Sequence, residues 1–497
     1  MNRSTRFRIA YLLLAAVGAL VISQPALADL GTIDPTVVRE DAKLTASDAA
    51  ANDWFGFSVA LSGDTAVVGV FSDNHLGANA AGSAYVFQRS GTSWSEQAKL
   101  TASDAAPRNR FGYSVALSGD TAVVGAYLDD HAGGMDAGSA YVFQRSGTGW
   151  SEQAKLTASD AAFGNWFGFS VAISGDTAVV VALNSAAYVF QRSGTSWSER
   201  AKLIASDATA TDLFGFSVGL SGDTAVVGAP FGDNAGGTLV GSAYVFQRSG
   251  TSWSEQAKLT ASDAAFNDVF GYSVAASGDT VLVGADGSAY VFQRSGTSWS
   301  EQAKLIASDA AVGDFFGFSV AVSCDSAVVG APFGDNAGGT HAGAVYDFVR
   351  SGTTWSEQFK LTASDAATGD FFGRSVALSG YLVVVGASFD DHAGGTDAGS
   401  AYVFDFEPRC PIALLTNLFD TLLDLNIQHG IENSLGAKLN AAIRALDDVN
   451  QNNNVAAIET LEAFINAVDA QRGNHITETD ADLLIAAAQE IIDLLLA

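Results

Sequence analysis

The sequence predicts two parts. The first is an all-β seven-bladed β-propeller closed by an N-terminal strand, and the second is a small all-α helical bundle. The phrase FG-x-SV occurs seven times, with spacings of 56, 56, 47, 56, 46 and 56 residues, and such a period is typical of repeat architectures. Each copy begins a unit of four strand-like segments. After residue 407 the apolar periodicity changes from two to nearly four, which indicates helices. The phenylalanines that open the seven units are Phe55, Phe111, Phe167, Phe214, Phe270, Phe316 and Phe372.

The unit from Phe111 to Asp160 shows why each repeat is expected to form four strands. FGYSVALS alternates small and large residues, and TAVVGA is continuously apolar, as in a central strand covered on both faces. SAYVFQR alternates aromatic and smaller residues, and WSEQAKLTA is half polar, as in an outer strand. Seven such antiparallel units predict a propeller. A solenoid of the same units is the alternative, and it would leave two exposed terminal edges.

The segment 37–46 resembles the end of a repeat, although no repeat precedes it. It runs into the phrase KLTASD (43–48), which returns almost verbatim at the end of each full unit, whereas the seventh unit stops after SAYVFDFE (400–407) without a fourth strand. We therefore expect residues 37–46 to pair beside residues 401–406 and to close the ring, because closure removes both open edges.

Residues 1–28 have the pattern of a Sec-type signal peptide. Arg3, Arg6 and Arg8 precede an apolar run that is short for a membrane span, and Ala26-Leu27-Ala28 supplies a cleavage site. An uncleaved anchor is the alternative. No later segment is long enough to span a membrane. The sequence therefore predicts a secreted protein, either extracellular or periplasmic.

Composition and charge narrow the class of protein. With 48% apolar residues the chain can bury a sizeable core, so disorder is excluded. The net charge is −29, and removal of the three signal-peptide arginines would make it −32. A nucleic-acid partner is not expected, because such proteins carry a basic surface. Acidity of this size favours cations, basic partners or a salty environment.

The predicted domains are the signal peptide (1–28), the propeller (29–407), a linker (408–411) and a helical module (412–497). Four helices are expected in the module. The first is marked by leucines and closed by Gly430, and the fourth follows a capping-box pattern at Thr477 and Asp480. The apolar stripes favour a bundle core over a docking face. They are Leu414, Leu418 and Leu422; Leu435, Leu439, Ile443 and Leu446; Ile458, Leu461, Ile465 and Val468; and Leu484, Ile491 and Leu495.

The repeats resemble the FG-GAP repeats of the integrin α-chain propeller. The resemblance is carried by FG together with VVGAP, at 226–230 and 328–332, and it covers about residues 36–407. The resemblance implies that the protein is a bacterial relative of integrin-like propellers and that its ligands are proteins. The helical tail is similar to the FIMAH module of secreted bacterial proteins, and we expect that it docks a partner. The family's calcium loop, D-x-D-x-D-G between the first two strands, is shortened here to SGD, so that site is not carried over.

The two ends of the predicted propeller differ. Loops that join strands one to two and three to four emerge at one end, which carries only tight turns. We interpret the opposite charges on these turns as structural. They are Asp64, Asp120, Asp176, Asp223, Asp279 and Asp325, with Arg89, Arg145, Arg192, Arg248, Arg294 and Arg350. The other end gathers the long Gly/Asp-rich loops and the loops between blades, and it is the candidate functional face, because rigid scaffolds commonly carry binding residues on loops.

We predict that a ligand contacts acidic and amide side chains of the long loops, which blades three and five lack. These side chains are Asp73, Asn74, Asp129, Asp130, Asp233, Asn234, Asp335, Asn336, Asp390 and Asp391. Calcium is a further expectation, because it takes six to eight oxygen ligands. Its candidate ligands are Asp129, Asp130 and Asp136 in blade two and Asp390, Asp391 and Asp397 in blade seven. The alternative is that these residues form turns.

His75, His131 and His392 recur at one loop position, and blades four and six are expected to carry Ala235 and Ala337 there. We interpret the histidines as surface residues, with a metal or proton-transfer site as the alternative. Cys324 and Cys410 are expected to be unpaired, because exported domains that rely on disulfides contain more cysteines. A bond between the two is the alternative.

These observations predict an exported, non-catalytic binding or adhesion protein, aided by calcium, whose partner is a protein or glycan at a cell surface or matrix. The sequence has no G-x-S-x-G, no H-E-x-x-H and no phosphate-binding glycine loop beside a helix. Two alternatives remain open. One is a secreted hydrolase of glycosides or esters that uses loop carboxylates. The other is a purely structural cell-surface repeat protein.

Overall fold

The fold is taken from a computed structural model of the chain. It describes residues 38–406 and 414–496, apart from 75–77, 184, 208, 210, 234–236, 416–417, 420, 423–424, 426, 428 and 448–453. The predicted signal peptide and linker lie outside these residues. Within the described part, no helix is both long and apolar enough to cross a bilayer.

Residues 38–406 form seven four-stranded antiparallel sheets within the described part, and these are the blades of a β-propeller. The first strands are β2 Ser58–Ser62, β6 Ser114–Ser118, β10 Phe167–Ser174, β14 Val218–Ser221, β18 Ser273–Ser277, β22 Ser319–Ser323 and β26 Ser375–Ser379. The second strands are β3 Thr65–Val70, β7 Thr121–Ala126, β11 Thr177–Ala182, β15 Thr224–Ala229, β19 Thr280–Ala285, β23 Ser326–Ala331 and β27 Leu382–Ala387.

The outer half of each blade completes the sheet. The third strands are β4 Ser83–Ser90, β8 Ser139–Ser146, β12 Ala186–Ser193, β16 Ser242–Ser249, β20 Ser288–Ser295, β24 Ala344–Ser351 and β28 Ser400–Asp405. The outer strands are β1 Arg39–Leu44, β5 Ser93–Leu100, β9 Gly149–Leu156, β13 Ser196–Leu203, β17 Ser252–Leu259, β21 Ser298–Leu305 and β25 Thr354–Leu361. The prediction of seven blades is confirmed.

Burial explains the sequence pattern of the strands. Every residue of β7, TAVVGA, is buried, as expected of a strand covered on both faces, whereas β9 is mostly part-exposed. The first strands are shorter than predicted: only β10 includes the FG phrase. In blade two, Phe111 instead forms a parallel bridge with Gly82 of blade one. Gly82 lies at φ +84°, and a side chain there would collide with the Phe111 backbone, so this glycine is required.

Apolar side chains join each blade to the next. Between blades one and two, Val67 and Val86 pack with Phe111 and Val124. Between blades seven and one, Val384 and Val403 pack with residues of blade one that include Phe55. Equivalent clusters join the other neighbours, so the described propeller has a core distributed around its circumference.

The N-terminal strand β1 lies in the same sheet as β26–β28. It pairs antiparallel with β28, with Leu44 opposite Ala401, so it takes the outer-strand position of blade seven. Its side chains repeat the contacts of the other outer strands. Glu40 accepts hydrogen bonds from the backbone N–H and hydroxyl of Ser364, as Glu96 of β5 does from Ser47.

The tail contains α1 His429–Asp447, α2 Asn454–Asp469 and α3 Glu478–Leu496. Residues 414–415, 418–419 and 421–422 are also helical. The leucine and isoleucine stripes form a shared core, as predicted. Gly430 does not close the first helix: it is the second residue of α1, where a glycine in the first turn is tolerated. Thr477 caps α3 by accepting the Asp480 N–H at 3.1 Å.

Cys324 is disulfide-bonded, so the expectation that it is unpaired is wrong. The sequence has one other cysteine, Cys410, which lies outside the described residues. Cys324 has φ +53° in a turn where blade two has Gly119, at φ +52°.

Candidate binding face

The tight-turn end of the propeller is held by charged hydrogen bonds between blades. Arg145 of blade two donates to Asp120 on its own turn and to Gln88 of blade one at 2.7 Å. Blade seven carries Asp405 at the position of Gln88, and Arg89 pairs with it. These contacts support the structural interpretation of the charges on this end, called here the turn face.

The opposite end, called here the loop face, places the predicted ligand-binding aspartates unequally. Asp129 is buried, and its carboxylate accepts hydrogen bonds from Asn109 and from Ser139 (2.6 Å). Lys155 lies 2.7 Å from Asp129 and 2.6 Å from Asp104. Burial alone would raise the pKa of Asp104, but hydrogen bonds from Lys155 and Tyr141 outweigh it and lower the pKa. Asp129 is therefore satisfied within the protein.

Asp73 and Asp390 occupy the same position in blades one and seven. Lys99 pairs with Asp73 at 2.7 Å, and Lys43 of β1 pairs with Asp390 at 2.7 Å. Both carboxylates are buried. These two predicted ligand residues thus anchor the long loops to the outer strands instead of facing solvent.

The second acidic position of each long loop closes a turn. Asp130 accepts the backbone N–H of Asp136 at 2.7 Å, six residues later. The same bond is made by Asp233, Asp335 and Asp391, and Asn74 accepts the N–H of Ala80. Asn234 lies outside the described residues.

The loop histidines also close turns. His131 accepts the Gly133 N–H on Nδ1, and its Nε2 lies 3.0 Å from the Gly138 carbonyl, to which it donates. His392 makes the same pair of bonds in blade seven. In blade six Asn336 makes both bonds with its amide group, so the residue equivalent to His131 is Asn336 and the alignment with Ala337 is wrong. His75 lies outside the described residues.

Four of the six predicted calcium ligands already have partners within the protein. Asp129 already binds an ammonium group, while Asp130 and Asp391 each accept a backbone N–H. Asp136 and Asp397 contribute their backbone N–H groups to these two bonds, and both residues have φ +51°. Among the described residues, no group of three or more carboxylate, imidazole or thiol side chains converges on one point suitable for a metal.

Two further carboxyls on this face have displaced pKa values. Burial, together with the nearby Asp73 charge, raises the pKa of Asp53 to about 6. Burial, together with Asp390, raises the pKa of Asp370 to about 6. Each accepts a backbone N–H three residues earlier, which identifies them as loop-closing groups.

One residue per blade, immediately before each FG, surrounds the mouth of the central channel. All seven have positive φ, between +47° and +61°, which is uncommon for residues other than glycine and unfavourable for a β-branched valine. Strained backbone of this kind concentrates at functional sites. We call these the mouth residues, and they are Trp54, Arg110, Trp166, Leu213, Val269, Phe315 and Phe371.

The long loops hold the mouth residues in place. The Trp166 N–H donates to the carbonyl of Asp136 in the blade-two loop at 3.2 Å, and the Val269 N–H donates to Leu239 at 3.1 Å. Aromatic contacts add to this support: Trp54 lies 5.3 Å from Phe71 between ring centroids. The mouth is therefore organised before any ligand arrives.

Exposed apolar side chains lie three residues before two of the mouth residues. Phe163 and Phe266, in loops between blades, are each 69% exposed. A cavity of about 270 Å³ opens where blade five has a short turn at Asp286 in place of a long loop. Burial raises the pKa of Asp286, and Asp268 adds to the effect. The cavity is lined by Phe231, Asn267, Val269, Tyr272, Ala285, Asp286, Phe315, Gly317 and Phe318.

Just inside the mouth, seven side chains from the x position of FG-x-SV contact one another in a closed ring. We call it the channel ring, and its members are Phe57, Tyr113, Phe169, Phe216, Tyr272, Phe318 and Arg374. Sequence reasoning selected the carboxylates and missed both the mouth residues and this ring. The available signal was that both positions vary between blades whose strands are nearly identical.

A comparison with family profiles agrees with this architecture. A family profile described as FG-GAP repeat matches residues 38–87, 94–143, 150–195, 197–246, 253–297, 299–348 and 355–404, which is more than half of the chain. Each match runs from the outer strand of one blade to the third strand of the next. None of the curated proteins compared with the chain matches it. One similar solved chain, from "Crystal Structure of Mitotic Checkpoint Complex", is 13% identical with a TM-score of 0.44; the match covers 78% of this chain and 98% of that chain.

Proposed function

Because the chain belongs to the FG-GAP repeat family, we propose that it is an exported, non-catalytic binding protein that contacts a protein partner through the mouth residues of its loop face. The observation that carries the proposal is the contrast between a copied scaffold and seven mouth residues of five different types, all held in one strained conformation. The set contains two tryptophans, two phenylalanines and an arginine, and such residues dominate the binding energy of protein interfaces.

The aspartates of the loop face give a hydrolase less support than the mouth residues give a binding protein. Glycoside hydrolysis needs two carboxyl groups flanking one bond, and the buried aspartates of the long loops are paired with lysines. The raised pKa values of Asp53 and Asp370 belong to groups that close loops. Export stays a proposal that rests on the signal-peptide pattern of residues 1–28, and the partner of the helical module likewise stays a prediction.

The test is a binding screen with matched variants. The immobilised protein is probed with purified matrix and cell-surface proteins, with a glycan array as a separate arm. We expect the double variant Trp166→Ala, Phe315→Ala to lose about tenfold or more in affinity for any protein ligand found. The control, Ile204→Ala with Ile306→Ala, removes two apolar side chains that are even more exposed, just beyond the outer strands, and should bind normally.

Three outcomes would contradict the proposal. They are equal binding by both double variants, ligands confined to the glycan arm, and turnover of glycoside or ester substrates. Each measurement is repeated with calcium and with chelator. Because the candidate carboxylates have internal partners, we expect affinity to be the same in both.

A further inference from the structure

Arg374 is the one charged side chain of the channel ring, whose other six members are aromatic. At its position in FG-x-SV the other six blades carry phenylalanine or tyrosine. Its guanidinium carbon lies 4.3 Å from the centre of the Phe57 ring and 5.4 Å from that of Phe318, so a cation is held between aromatic rings of the two neighbouring blades.

None of the described residues neutralises the charge of Arg374. Burial lowers its pKa, and its Nε has no hydrogen-bond partner in the part of the chain that the structure describes. Among the described residues, no carboxylate forms an ion pair with it. The contrast with Arg145, Arg192 and Arg350 on the turn face is clear, because each of those pairs with an aspartate. A mostly buried cation without an anion is unfavourable, and cation–π contacts offset only part of that.

Two tyrosine hydroxyls share the environment of Arg374. Tyr113 and Tyr272 are its next-but-one neighbours in the ring, one on each side. The Arg374 charge acts to lower the pKa of both hydroxyls. Neither hydroxyl has a hydrogen-bond partner among the described residues. Burial raises the pKa of both groups, so both remain protonated donors at neutral pH.

We propose that the channel ring binds a single carboxylate group of a ligand, held by the Arg374 guanidinium and the hydroxyls of Tyr113 and Tyr272. Arginine presents paired N–H donors that match a carboxylate, and the phenols supply two more donors. The phenylalanines of the ring favour a carboxylate attached to an apolar or aromatic body. The net charge of −29 disfavours polyanions, which the rest of the protein would repel.

This inference does not depend on the proposed function, because none of the channel-ring residues is a mouth residue. The probe is benzoate, titrated calorimetrically into the purified full chain. Benzamide is its neutral isostere, and inorganic phosphate tests the other common oxyanion. We expect benzoate to bind about tenfold or more tightly than benzamide, because only benzoate is charged.

Substitutions separate the three donors. Arg374→Phe restores the residue type of the other blades and should lower benzoate affinity about tenfold or more. Tyr113→Phe and Tyr272→Phe remove only a hydroxyl and should each lower it about threefold. Arg200→Gln, which removes an exposed arginine from β13, is the matched control and should leave affinity unchanged.

Thermal melting distinguishes a binding residue from a structural one. If Arg374 serves a ligand, Arg374→Phe should fold and melt at an equal or higher temperature than the parent while losing benzoate. The proposal is overturned if benzoate does not bind, if the variant binds it normally, or if the variant melts lower and Tyr272→Phe keeps full affinity. Phosphate binding that exceeds benzoate binding would also overturn the carboxylate assignment.

Discussion

Asp53 shows how a loop-closing carboxyl limits stability. Its pKa of about 6 means that the native state keeps the proton in a range where the unfolded chain, with a value near 3.8, releases it. The native state therefore loses stability as pH rises from about 4 to about 6 and keeps the deficit above that. Asp53→Asn removes the charge and retains an oxygen for the Ala50 N–H.

We expect Asp53→Asn to stabilise the protein at pH 7.5 by about 1–2 kcal/mol and to have no effect near pH 4. Denaturant melts at both pH values measure the difference. Asp268→Asn is the control, because Asp268 accepts the equivalent bond from Ala265 but is more exposed. An equal effect of Asp53→Asn at the two pH values would contradict the assignment of its raised pKa to burial.

His131 allows a separate test of the loop assignment. Because Asn336 makes the same two bonds in blade six, His131→Asn should leave the melting temperature unchanged. His131→Ala removes both bonds and should destabilise the protein by about 1–2 kcal/mol. If His131→Asn instead abolished ligand binding while folding normally, the imidazole would have a functional role.

At this scale the sequence identified the acidic loop positions but not their partners. Whether Asp129 binds a ligand or a lysine depends on the fold, which brings Lys155 from the outer strand β9 to the loop. The blade-six alignment failed at Asn336 for a related reason: histidine and asparagine close the same turn, and only the hydrogen bonds reveal their equivalence.

Among the elements, β1 carries the sharpest prediction. Deletion of residues 29–46 would expose the edge of β28 and remove the Lys43 contacts with Asp365 and Asp390. We expect the melting temperature to fall by about 5 °C or more, with aggregation through the open edge. Size-exclusion chromatography and thermal melts measure both effects.

The control for β1 is deletion of residues 29–37, which keeps the strand. It should elute and melt like the parent. A 29–46 deletion that behaved identically would show that pairing of β1 with β28 contributes nothing to closure.

Element types were predictable because the repeats present the same apolar pattern seven times, so the TAVVGA segments could only be buried central strands. Two boundaries were not predictable. The FG phrase looks like the start of a strand, but its phenylalanine is drawn into a bridge with the preceding blade, as Phe111 is with Gly82. Gly430 looks like a helix stop because glycine is common just past helix C-termini, but here it lies in the first turn of α1.

At the scale of the whole molecule, a ring and a solenoid respond differently to damage. Phe55 in blade one and Phe270 in blade five are fully buried and have matching neighbours: Phe55 lies 5.7 Å from Tyr85, and Phe270 lies 5.5 Å from Tyr290. In a solenoid, blade one is a terminal repeat, and damage there unfolds little beyond it, whereas blade five is internal. In a ring no blade is terminal.

We therefore expect Phe55→Ala and Phe270→Ala to lower the free energy of unfolding of the propeller equally, by about 3–5 kcal/mol each. Both variants should unfold the propeller in one transition, because each seam is supported by the rest of the ring. Calorimetry measures the number of transitions, and the fluorescence of backgrounds that keep only Trp54 or only Trp299 of the eight tryptophans reports on blades one and five. If the Trp54 signal of Phe55→Ala melts before the rest of the propeller, while Phe270→Ala unfolds in one transition, the seam between blades seven and one behaves like the terminus of a solenoid.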